Sequence, residues 1–297
     1  MSDYPARRLW ATLETIHGVI YFAPGVRDAG VGLGLRGFWM IYFAFRAAPL
    51  GAVGAEPVIA CFAGFESGMV AKALPDAWSR TTPEACLDAR RSVSVDALTA
   101  AGIDESSCAA AAQLLAPVAA SADATGRTHF AANSVLRLEE DPVGALWLPA
   151  TSLREHRGDG HVAALVAGGV RGLEAQSFRS PPGRFPAEVI LPARGWSELE
   201  WANAADRLRD RDLLSHDKTP TLTERGGSLL PYESALQQDR PQAGGYNVDQ
   251  NAKRAALRRP SRYDQKAAVM ARPEQVTRYP ASASPRRFGS DSPSCRC

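Results

Sequence analysis

The sequence predicts a mostly α-helical fold: a helical N-terminal region over residues 1–140, a second compact module over 141–226, and a disordered basic tail over 227–297. Three observations carry this. Apolar residues recur at helical spacing in Ala-rich stretches broken by Gly and Pro. Helix start signals stand at Thr82-Pro83 and at Ser197-Glu198-Leu199-Glu200. From Gly227 onward the chain turns to Arg, Pro, Ser and Gln, and no apolar stripe survives longer than about two turns, too little burial to offset the entropy of ordering.

Leu9, Leu13, Ile16 and Ile20 form one stripe and predict a helix over residues 6–22, stopped by Pro24. Residues 37–48 are apolar almost all round, which predicts a buried helix ending near Pro49. Residues 55–65 and 67–74 read as two short helices broken around Gly64. Thr82 as N-cap and Pro83 at the first helical position open a helix over 83–101, ended by Gly102. Residues 104–122 form another, with a kink expected at Pro117.

In the second half, a helix over 143–156 is expected to break sharply at Gly158-Asp159-Gly160 before another over 161–167. A short helix over 172–178 leads into a loop containing Pro181, Pro182, Gly183 and Pro186. The capping box at Ser197 and Glu200 then starts a helix that buries Trp201, Ala205 and Leu208. Residues after Leu213-Leu214 read as a short hairpin and a turn. Residues 57–65 and 161–169 are faintly similar at an offset of 104, which would imply two related helical modules.

Composition narrows the function. With 45% apolar and 22% charged residues the chain is globular, and its longest dense apolar run, residues 37–45, falls far short of the roughly 20 a spanning helix needs. No membrane partner is expected. No apolar stretch follows Arg7-Arg8, so a cytoplasmic location is the expectation. Cys61, Cys86, Cys108, Cys295 and Cys297 show no zinc-ligand spacing, and reduced thiols fit best. Gly30, Gly32 and Gly34 lack the preceding strand of a nucleotide loop, so no cofactor is expected. The net charge of +2 hides a division: through Gly226 there are 22 basic and 26 acidic residues, and beyond it 12 and 6. Two readings of that tail stay open. It is a basic arm for phosphate contacts, or the out-of-frame reading of a GC-rich gene.

The order helix, helix, capped helix, Leu213-Leu214, short wing, then Leu222-Thr223-Glu224-Arg225-Gly226 resembles a winged helix-turn-helix of the MarR type, with residues 204–214 similar to the end of that family's recognition helix. Residues 13–24, 46–51 and 153–161 carry a wider resemblance to a group of actinobacterial helix-turn-helix proteins, over roughly residues 6–226. The resemblance implies a ligand-responsive transcriptional regulator. DNA contacts would fall to Asn203, Arg207, Arg211 and Lys218. Between Gly195 and Gly226, however, seven acidic residues oppose five basic ones, which removes the electrostatic attraction behind most DNA affinity. Gly226-Gly227-Ser228 and Pro231 interrupt the place where a dimerising helix is expected, leaving the oligomeric state open.

The densest polar cluster is Arg154, Glu155, His156, Arg157, Asp159 and His161. The resemblance implies that His17, Tyr21 and Arg46 join Arg154, Glu155, His156, Asp159 and His161 as contacts of a small-molecule ligand. His156, Asp159 and His161 superficially resemble a metal set, but Gly158 and Asp159 are better explained as a helix end and a cap, and no metal is expected. His17 on an apolar helix reads first as a satisfied core histidine. Cys61 reads as an inert buried thiol. Trp39, Tyr42 and Phe43 read as core before pocket. The alternative to a regulator is a winged-helix scaffold without DNA binding, carrying a small-molecule or metal site near Glu155 to His161. A third reading, a protein-interaction module, would use residues 37–45 as its surface. No catalytic residue is identified.

Overall fold

The computed structural model describes residues 5–137, 140–179, 187–217 and 220–229. The expected disordered tail, apart from its first three residues, lies outside them, as do Lys218 and the Pro181–Pro186 loop. The described residues are mostly α-helical. The helices are α1 (Pro5–His17), α2 (Val19–Phe22), α3 (Gly25–Gly32), α4 (Gly37–Ala47), α5 (Ala55–Cys61), α6 (Ser67–Ala71), α7 (Pro83–Ala100), α8 (Glu105–Ser121), α9 (Thr128–Ser134), α10 (Pro142–Ala167), α11 (Gly172–Arg179), α12 (Ala187–Arg194) and α13 (Glu198–Asp210). Three of these, α3, α9 and α12, were not expected from sequence; α3 and α12 are glycine- or proline-interrupted, and α9 is only two turns long.

Cap chemistry explains several boundaries. Thr82 accepts from the Ala85 N–H at the start of α7, Asp104 from Ser107 at α8, and Asp141 from Gly144 at α10. Pro117 sits inside an uninterrupted α8.

The largest departure from expectation is α10. In place of two helices broken at Gly158-Asp159-Gly160, one helix of 26 residues runs from Pro142 to Ala167. Two glycines in a helix interior cost about 1 kcal/mol each, but neighbours offset that cost here. Gly160 leaves the space into which the Arg127 guanidinium reaches, and that group donates to the His156 carbonyl. Asp159 does not start a new helix; its carboxylate accepts from the Phe130 N–H at 2.8 Å and so caps α9.

α10 is also the spine of the molecule. It packs against α8, α9, α1 and α7. Its first half contributes Val143, Leu146, Trp147 and Leu148 to a large core built with α2 to α8. Its last turns carry Leu165 into a second cluster with Val170, Ala175, Leu208, Leu213 and Leu214. Each fully buried leucine there contributes roughly 1.5–3 kcal/mol. Residues 37–45 are no docking surface: Ile41, Phe43, Ala44 and Phe45 are buried in the large core. No single helix among the described residues is long and apolar enough to cross a membrane.

The second module ends as expected in a short wing, where Leu214 and Leu222 form an isolated antiparallel bridge. Residues 224–229 are then helical, where a flexible break was expected. Gly226 is required there by close approach, since a Cβ would meet the Leu213 carbonyl, and Leu229 packs on the second cluster.

The two faintly similar segments meet in space. Ala63, Val162, Leu165, Val166 and Gly169 line one open groove of about 440 Å³ together with residues 170–172, and a Cβ at Gly172 would collide with the Ala63 carbonyl. A backbone collision cannot be relieved by a rotamer change. Gly172→Ala is therefore expected to cost about 1–3 kcal/mol, read from urea unfolding midpoints. Wild-type stability would show that the two halves separate here without penalty.

Candidate functional site

Glu155 lies at the centre of the polar network, on the face of α10 turned toward α1, α4 and α9. It is 2% exposed. Arg46 of α4 reaches it with two nitrogens, at 3.3 and 3.1 Å, and Arg154 donates from one residue away at 2.8 Å. His129 of α9 places Nδ1 3.0 Å from the same carboxylate, outside hydrogen-bond geometry. The other ring nitrogen, Nε2, lies 2.8 Å from the Arg46 carbonyl, which can only accept, so Nε2 carries a proton.

Charge and burial compete at this point. Burial pushes the Glu155 carboxyl up, but Arg154 and then Arg46 hold it well below the usual range. Burial would lower the Arg46 pKa, yet Glu155 and the phenol of Tyr42 raise it well above its ordinary value. Both guanidinium groups are therefore charged and the hub is an ionised carboxylate held by two arginines.

His17 closes one side. Its Nε2 lies 2.7 Å from the Tyr21 hydroxyl and its Nδ1 3.1 Å from the Thr151 hydroxyl. Burial, then the nearby Arg154 charge, push its pKa down to about 3, so the ring is neutral and both hydroxyls satisfy it. Burial likewise raises the Tyr21 phenol. The core-histidine reading of His17 and its place beside Glu155, Oε1 lying 4.0 Å from Nε2, hold together.

Sequence-expected residues divide into two groups. His17, Tyr21, Arg46, Arg154 and Glu155 converge. His156 and Asp159 face α9 instead, His156 edge-on to Phe130 at 4.8 Å and Asp159 as the α9 cap. Two residues beyond Asp159, His161 points roughly 140° round the helix from His156. Among the described residues no group of three His, Cys, Asp or Glu side chains is placed to hold a metal ion. Burial raises the Cys61 thiol to about 11, as an inert thiol requires.

Sequence reasoning missed His129, Thr151 and Glu14, and read Tyr42 as core and not as part of this network. Glu14 pairs with Arg154 at 3.3 Å, and Tyr42 accepts from Arg46 at 3.1 Å. It also missed Arg90, 4% exposed, which donates to the Phe45 carbonyl at 3.2 Å and to Asn133 at 2.9 Å. Burial lowers its pKa to about 10. The i, i+4 spacing of Tyr42 to Arg46 was a readable signal; contacts between α9 and α4 had none.

The second element is the pair α12 and α13. Between them Gly195 adopts φ +79°, a left-handed turn that favours glycine. Ser197 and Glu200 then form both halves of the expected capping box. Ala204, Ala205 and Leu208 bury one face of α13, with Trp201 half-buried. Two helices joined by a tight glycine turn, the second capped, packed on α11 and followed by a wing, have the order of a helix-turn-helix. A helix-turn-helix family matches residues 6–234. The chain belongs to this helix-turn-helix family. No curated protein and no solved structure is significantly similar to it. Because the family match runs past Gly226, the change of composition there begins inside the family region.

In this helix-turn-helix protein the arginines of α13 and its C-cap, though partly exposed, are bonded to acceptors of the protein itself. Arg207 donates to the buried Glu174 of α11 at 2.7 Å. Arg211 donates to the Gly169 and Gly168 carbonyls at 2.7 and 2.9 Å, closing the C-terminal end of α10. Arg209 is paired with Asp206. What α13 presents to solvent is Glu198, Leu199, Ala202, Asn203, Asp206 and Asp210.

Proposed function

We propose that the protein is a ligand-responsive transcriptional regulator of the MarR-like kind, acting in the cytoplasm, which reads DNA with α13 and the wing and senses a small molecule at the Glu155 network. The observation that carries the reading is the α12, Gly195 turn, α13 unit, with its capping box and the Leu214–Leu222 bridge, within a chain of helix-turn-helix family. In such a unit the second helix enters the major groove, its N-terminal residues at base edges. Asn203, exposed in the second turn of α13, would take that role, whereas Arg207 and Arg211 can meet phosphates only by leaving Glu174 and the α10 carbonyls.

The committed arginines and the acidic exposed face favour a second reading, a winged-helix scaffold without DNA binding. Electrophoretic mobility shift separates the two, at low and physiological salt, with the full chain and with a chain ending at Ser234, since a cut at Gly226 would divide the 224–229 helix. A regulator is expected to shift DNA without the tail, more weakly as salt rises, and to lose sequence preference in Asn203→Ala, each lost base contact costing about 1–3 kcal/mol. A shift that needs the tail, or none at low salt, leaves the scaffold reading. Arg207→Ala and Arg211→Ala are poorer probes because both disturb the fold.

A further inference from the structure

Residues 62–69 touch the Glu155 network at one end and the helix-turn-helix turn at the other. At the first end, Phe62 is 3% exposed, with the Arg46 guanidinium 4.0 Å above its ring and the His129 ring edge-on at 5.2 Å. Next, the Ala63 carbonyl lies against Gly172 at the start of α11. One residue on, the Gly64 carbonyl accepts from the Trp196 indole at 3.1 Å. Phe65, also buried, packs against Tyr42 at 5.5 Å and carries the Arg194 guanidinium 4.2 Å over its ring. The Glu66 N–H donates to the Arg194 carbonyl at 2.9 Å. Finally, Met69 packs on Gly195, where a Cβ would lie 3.0 Å from its sulfur.

Arg46 therefore touches this strap twice, directly through Phe62 and indirectly through Tyr42 and Phe65. The strap in turn holds Arg194, Gly195 and Trp196, the last residues before the α13 cap. Packed aromatic rings and backbone hydrogen bonds of this kind have few intermediate arrangements, so a displacement of Arg46 is passed on and not absorbed.

We propose that residues 62–69 are a mechanical coupling between the buried Arg46–Glu155 pair and the turn of the helix-turn-helix, so that loosening either one loosens the other. This deepens the regulatory reading and rests on it only for its purpose: the coupling is a property of the protein alone, and any factor by which the network changes the turn must act equally in reverse.

The test is amide hydrogen exchange on the full chain without DNA, so that failure of DNA binding leaves the result interpretable. Arg46→Lys keeps the charge but loses the planar fork over Phe62, and Phe62→Leu removes the ring that receives it. Both are expected to speed exchange across residues 194–201 by roughly tenfold. Trp196→Phe, which deletes the bond to Gly64 together with part of the indole, is expected to speed exchange in α9, whose His129 touches the network. Faster exchange confined to residues near each substitution, with 194–201 unchanged in both network variants or α9 unchanged in Trp196→Phe, overturns the coupling. Trp196→Phe keeps the proposal testable if Phe62→Leu does not fold.

Discussion

Replacing Glu155 with Ala is expected to lower the unfolding free energy by about 3–5 kcal/mol, the range found when one partner of a buried ion pair is removed. Arg46 and Arg154 would be left facing each other with no shared carboxylate; Glu14 compensates only Arg154. Arg46 is 11% and Arg154 16% exposed, so partial escape to water sets the lower end of the range. Urea unfolding measures it directly. Glu155→Gln, isosteric but neutral, is expected to fall between. A loss below about 1 kcal/mol in Glu155→Ala would mean the arginines find water freely, as at an exposed pair, and that the network does not organise the core.

Acid sensitivity is the second large effect. His17 takes up a proton at an ordinary pKa of 6.5 when unfolded and at about 3 when folded. Because the folded pKa is depressed, the unfolded chain binds the extra proton first. Stability from His17 is complete above pH 6.5 and declines as pH falls from there toward 3, by up to about 1.4 kcal/mol per pH unit. Glu155 acts in a lower window that overlaps the acid end of this one: its carboxyl is also depressed, so its contribution is complete above the ordinary value of 4.5 and is lost as pH falls below it. Unfolding free energies at intervals from pH 7 to pH 4 are expected to fall less steeply in His17→Gln than in wild type, by nearly one proton. Parallel profiles would show that the imidazole is not held neutral between Tyr21 and Thr151.

These effects were partly legible in the residues. Local signals carried through: Thr82, Ser197 and Glu200 cap helices as their types require, and Ala205 and Leu208 of the expected stripe are buried. These depend on neighbours a few residues away. Where the reading departed, a distant segment had intervened. Gly158-Asp159-Gly160 has the composition of a break, but Arg127 and Phe130, some thirty residues earlier, occupy the gap and take the cap. Arg207 and Arg211 have the spacing of DNA-reading residues, but Glu174 and the end of α10 hold them.

By itself the sequence determined that the chain is helical and that its second half carries a capped helix followed by a wing; the grouping of His17, Tyr21 and Arg46 with residues 154–161 came from the family resemblance, and it held for Arg154 and Glu155 but not for His156, Asp159 and His161. Helix propensity, capping and apolar period act over a turn or two and need no fold. Only the tertiary structure decided that α10 is continuous, that His129 completes the Glu155 network and that residues 62–69 join it to the Gly195 turn. Those outcomes follow from which buried donors and acceptors find one another across 30 to 130 residues, and no local pattern records that pairing.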